Sequence, residues 1–93
     1  MTIGILQLEL SIGDAMSLKD KRRVVKSIKD RIANGRNVSV AETGALDLHR
    51  TAILAVAMVS SDRSYVESGL SKIVDFVRSV GQADLVDYQI ELL

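Results

Sequence analysis

Residues 17–32, SLKDKRRVVKSIKDRI, constrain the fold more than any other stretch, because they read as one amphipathic helix whose apolar stripe must find a sheet. Leu18, Val25, Ile28 and Ile32 recur at helical spacing, and Val24 widens the stripe. Ser17 suits the N-cap, where a hydroxyl accepts a hydrogen bond from a first-turn N–H. Asp20 stands three residues later, at the capping-box position. Asn34-Gly35 ends the helix, since glycine readily takes the left-handed conformation just past a C-terminus. Lys19, Arg22, Arg23, Lys26 and Lys29 gather in one arc flanking and opposing the apolar stripe. Lys21 falls on the apolar side, where its aliphatic stem is expected to run past the sheet into solvent.

The segments around this helix alternate with period two. From Ile3 to Ile12, Leu6, Leu8, Leu10 and Ile12 share one side while Ile5, Gln7, Glu9 and Ser11 share the other, which predicts a strand with one buried face. Arg36 to Thr43 reads as a second strand, with Val38 and Val40 inward and Ser39, Ala41 and Thr43 outward. Residues 44–49, GALDLH, form the one irregular connection long enough to hold a functional loop. Thr51 to Val59, TAILAVAMV, is apolar on both faces and fits a central strand. Asp62 or Ser64 caps a second helix running to about Val80, with Val66, Leu70, Ile73, Val77 and Val80 as its stripe and Tyr65 and Phe76 on one flank. Gly69, inside it, suggests close approach to a neighbouring helix. Gly81 ends that helix, and Asp84 to Leu93 is a last strand with Val86, Tyr88, Ile90 and Leu92 inward.

The order is β-α-β-β-α-β. Two right-handed crossovers over one sheet give an α+β, ferredoxin-like domain spanning residues 1–93: a four-stranded antiparallel sheet with both helices on one face. Leu8, Leu10, Ile28, Val40, Val56, Ile73 and Ile90 are expected to be buried together. The chain has no cysteine, which excludes a disulfide framework, a thiolate metal site and a thiol nucleophile. The opening MTIGILQLELS reads as a strand rather than a signal peptide, no apolar run is long enough to span a bilayer, and a soluble protein is expected.

Chemistry is sparse. His49 is the single histidine, with Asp47 and Glu42 as its nearest acidic neighbours, and is expected to be a solvated loop residue rather than a metal ligand. No serine is paired with a base, and no glycine-rich phosphate loop occurs. An acylphosphatase would share the fold but needs an arginine in a phosphate-cradling loop after the first strand; SIGDAM has an aspartate there instead. No enzyme and no cofactor are expected.

IGILQLEL, SLKDKRRVVKSIKDRI, NVSVAE at 37–42 and AVAMVSSD together resemble the YlxP-like family (DUF503), a group of small bacterial proteins of unknown function. The resemblance covers essentially the whole chain and implies a ferredoxin-like fold and a cytoplasmic location. Genes of the family often lie near those for translation initiation and ribosome maturation.

Charge supplies the functional expectation. Net charge is zero, yet eight of the twelve basic residues lie between Lys19 and Arg36 against only Asp20 and Asp30, so that segment carries +6 and the remainder −6. The sheet face opposite the helices is expected to present no aromatic and no cation, which removes the base-stacking mode of RNA-recognition modules. The basic arc of Lys19, Arg22, Arg23, Lys26 and Lys29, with N–H groups at Ser17, is the expected contact for RNA or a ribosomal particle. The alternative is a protein-interaction or homodimerisation module that binds no nucleic acid: its basic helix meets an acidic protein surface, and Ile5, Ala55 and Ala57 on the open sheet face form a homodimer or other protein contact.

Overall fold

In the computed structural model of the chain, which describes residues 1–93, six elements follow the expected order: β1 (Thr2–Ser11), α1 (Leu18–Ala33), β2 (Ser39–Gly44), β3 (Thr51–Ser60), α2 (Arg63–Ser79) and β4 (Asp84–Leu92). The sheet is antiparallel throughout, in the order β2-β3-β1-β4. This is the ferredoxin-like arrangement. Leu6, Leu8 and Leu10 of β1 and Ala52, Leu54, Val56 and Met58 of β3 project to one face. There they meet Val25, Ile28 and Ile32 of α1 and Val66, Leu70, Ile73, Val74 and Val77 of α2 in a single buried cluster. The period-two and period-3.6 stripes are therefore halves of one core.

Both helices begin as their caps dictate. Ser17 Oγ accepts from Asp20 N at 3.2 Å, and Asp62 Oδ1 accepts from Ser64 N at 2.9 Å and Tyr65 N at 3.3 Å. Gly35 (φ 70°) and Gly81 (φ 76°) take the left-handed conformation just beyond each helix.

Four expectations change. β2 starts at Ser39 rather than Arg36, because the Arg36 guanidinium turns back to donate to Arg31 O and Ile32 O, both at 3.0 Å, capping the end of α1. The close approach at Gly69 is to β3 rather than to a helix: a Cβ there would lie 2.7 Å from Met58 Cε. Lys21 does not run out to solvent but is buried, 1% exposed. The inward row of β4 is only partly covered. A bulge opposite Glu9/Leu10 makes Val86 an extra residue, and Tyr88 and Ile90 face the helix layer opposite Leu8 and Leu6. Yet Val86, Tyr88 and Ile90 remain 57%, 40% and 37% exposed, so Ile90 lies outside the core in which it was expected. The helices reach over β4 far enough to half-bury Leu85 and Leu92, and no further.

Candidate nucleic-acid interface on the first helix

α1 packs over β2, and one of its flanks is tied to α2 and the loop after it. Ser27 Oγ and Arg31 Nη1 both donate to Gln82 Oε1 at 3.2 Å. Two guanidiniums lie over the Phe76 ring, with Arg31 Cζ 5.6 Å and Arg36 Cζ 4.8 Å from its centroid. Those two arginines are thus committed to holding the helices together. The basic arc occupies the remaining surface of α1, outward and toward the β2 edge. Lys19, Arg22, Arg23 and Lys26 are exposed and Lys29 is half-buried.

Four of these five cations have no acidic partner: no carboxylate lies within 4.0 Å of Lys19, Arg22, Arg23 or Lys29. Lys26 is the exception, 2.7 Å from Asp30 Oδ2 one turn on. The hydrogen bond to Asp30, and then its charge, raise the lysine's pKa above the ordinary value. The free cations run from residue 19 to residue 29, about 15 Å of helix axis at 1.5 Å per residue. The helix N-terminus adds less than its cap residue promises. Asp20 Oδ2 accepts from Met16 N at 3.0 Å, so a carboxylate already stands beside the first turn and repels a second anion.

The sequence reading missed one feature of this helix. Lys21 Nζ donates to Ala45 O at 2.6 Å and lies 2.8 Å from Glu42 Oε2, forming an ion pair whose side chains are 1% and 16% exposed. Ala45 is held at φ 56°, and its carbonyl also accepts from Leu48 N at 3.0 Å, so the ammonium anchors the β2–β3 loop to the start of α1. The signal was available. A lysine on the apolar stripe and Glu42, next after Val38 and Val40 in the inward alternation of β2, are opposite charges at two buried positions. This pairing takes Glu42 away from His49, which is exposed in the same loop. No three His, Asp or Glu side chains gather in a way that could hold a metal ion.

On the open face, Ile5, Ala55 and Ala57 come together as expected by position: Ile5 is opposite Ala57, which is opposite Ser39, and Ala55 is opposite Ala41. With Ser39 and Ala41 they line a shallow, almost wholly apolar depression. Toward β4 the same face becomes acidic, with Glu9 opposite Asp87, Gln7 opposite Gln89, and Ile5 opposite Glu91.

The sequence profile of a family described as "Protein of unknown function (DUF503)" matches residues 3–90. The chain belongs to that family. A DUF503 relative in Bacillus subtilis (strain 168), called "Uncharacterized protein YlxP", is 40% identical over 77 residues, covering 83% of this chain and 84% of that protein. Among solved structures, the de novo designed protein Foldit4 superposes with a TM-score of 0.53 at 11% identity, over 99% of this chain and 94% of the design. A putative antibiotic biosynthesis monooxygenase from Deinococcus radiodurans gives a TM-score of 0.48 at 14% identity, over 100% and 90% of the two chains. The likeness to the design concerns the fold alone. Neither structure has enough sequence identity for chemistry to be carried across, so function in this DUF503 protein has to be read from its surfaces.

Proposed function

We propose that this protein is a non-enzymatic binding module that engages RNA, free or within a ribonucleoprotein, through the exposed flank of α1. The observation that supports the reading is the set of four unpartnered cations, Lys19, Arg22, Arg23 and Lys29, on one rigid helix. Like charges held this close raise one another's electrostatic energy, and a phosphate backbone relieves that cost. The contact is to phosphate rather than to bases, because the arc carries no aromatic side chain and the open sheet face has none either. Binding is therefore expected to be steeply salt-dependent and indifferent to sequence.

Each phosphate contact lowers the logarithm of affinity by about 0.7 per logarithmic unit of salt for a single strand. Arg22→Gln with Arg23→Gln should flatten that slope by about 1.4. An unchanged slope, or no RNA bound above background at low salt, would remove this reading. The open face favours a second one, a homodimer: the apolar depression around Ile5, Ala55 and Ala57 is covered by nothing within the chain. Ala55→Lys should then convert a dimer to a monomer with little loss of fold. A wild-type mass near 10.1 kDa at high concentration would refute it.

A further inference from the structure

The free edge of β4 combines three properties on one nine-residue strand. The first is unpaired backbone. Ile3 and Leu93 exchange both hydrogen bonds (3.3 and 2.8 Å), so by alternation Glu91, Gln89 and Asp87 turn their N–H and C=O groups toward β1. Tyr88, Ile90 and Leu92 turn theirs outward. The Tyr88 amide agrees with this: it meets no strand and donates instead to Asp87 Oδ1 at 2.8 Å. The second property is the uncovered apolar pair on the helix side, Tyr88 and Ile90, with the Arg78 guanidinium 5.4 Å from the Tyr88 ring centroid. The third is charge: on the open-face side the edge presents Asp87 and Glu91, with Glu9 behind Asp87, no cation in the strand, and no ion pair to any of the three.

A strand of this kind is a template for another strand; β4 has neither the lysine nor the proline that blunt many natural edges, and its bulge at Val86 precedes the regularly paired stretch from Asp87 to Leu92. We infer that the β4 edge accepts an extended segment of a partner protein in which apolar residues alternate with lysine or arginine. Added antiparallel or parallel, such a segment hydrogen-bonds to Ile90 and Leu92, and to Tyr88 once its amide exchanges Asp87 Oδ1 for the incoming strand. It lays its apolar residues beside Tyr88 and Ile90 and its cations beside Asp87 and Glu91 on the other face. Period two makes these demands compatible: one alternating segment meets both. Charge argues against a second copy as the occupant, because two β4 strands bring two sets of carboxylates to the same seam.

The test is hydrogen exchange on the full chain with a nine-residue peptide of alternating valine and lysine. Two control peptides accompany it, one with glutamate in place of lysine and one N-methylated at the amides facing the edge. The expected result is slowed exchange at the amides of Tyr88, Ile90 and Leu92 with the first peptide and with neither control. Asp87→Asn with Glu91→Gln should weaken that peptide roughly two- to thirtyfold, the effect of losing two opposite-charge cross-strand pairs, while the circular dichroism spectrum stays that of the wild type. No protection at those amides with millimolar peptide, or equal protection by the glutamate peptide, would overturn the inference. Protection that appears without peptide and grows with protein concentration would also overturn it, by giving the edge to a second copy.

Discussion

Glu42→Gln is the perturbation with the most to say about how this fold is held. Lys21 is 1% exposed and reaches two acceptors, Glu42 Oε2 at 2.8 Å and Ala45 O at 2.6 Å. Removing the carboxylate's charge leaves a buried ammonium facing only neutral oxygens, the Ala45 carbonyl and the glutamine amide, and breaking a buried pair in this way typically costs about 3–5 kcal/mol. Lys21→Met should cost less, since Glu42, at 16% exposed, can turn to water and the methionine fills the stem's volume. The double change Lys21→Met with Glu42→Leu should recover most of the loss, because a hydrophobic pair avoids the desolvation of two charges. Urea titration of all four proteins gives the coupling directly. A domain of this size is stable by about 5–14 kcal/mol, so Glu42→Gln should shift the midpoint well beyond error. A loss under about 1 kcal/mol would mean that the ammonium escapes to solvent, and the anchoring role assigned to it would be wrong.

Ile28→Ala or Ile73→Ala, each at a fully buried position, should cost about 2–5 kcal/mol by urea titration. Gly4→Ala should destabilise by roughly 1–3 kcal/mol, since its Cβ would run into Val66 Cγ1 and lie 2.7 Å from Leu70 Cδ1, both on a packed helix. Gly69→Ala should cost much less in the same titration: the Met58 methyl it meets can swing away, and the helix regains up to about 1 kcal/mol of propensity. Asp30→Asn should tighten RNA binding and steepen its salt dependence by freeing Lys26, read by titration across salt concentrations.

The layout of this fold was legible because its stripes are regular: Leu6–Leu8–Leu10 and Leu54–Val56–Met58 on the strands, Val25–Ile28–Ile32 and Val66–Leu70–Ile73–Val77 on the helices. What escaped depends on how far elements extend over one another. Period two assigned Tyr88 and Ile90 to the helix side correctly, but it carries no information on whether a helix covers an edge strand. Gly4 lies in the middle of a strand pattern, and only the seating of α2 on β1 shows why a side chain would not fit there. The basic arc was legible residue by residue. Its internal division was not: Lys26 bound to Asp30 and Arg31 and Arg36 held on Phe76 are matters of rotamer and helix packing.

The sheet order places the two charged surfaces apart. α1 and its cations lie on the β2 side, and the acidic edge is β4, three strand spacings away, about 14 Å within the sheet. That exceeds the Debye length of about 8 Å at physiological ionic strength. The surfaces should therefore act independently although the charges of the whole chain sum to zero. Asp87→Asn with Glu91→Gln should leave RNA affinity within about twofold at 0.15 M salt, and Arg22→Gln with Arg23→Gln should leave affinity for the valine–lysine peptide similarly unmoved. At 0.01 M, where the Debye length reaches about 30 Å, both cross-effects should emerge, with loss of the acids strengthening RNA binding and loss of the arginines strengthening peptide binding. Isothermal titration at the two salt concentrations checks this. A large cross-effect at 0.15 M would show that overall charge governs binding, and neither surface would then be a site in its own right.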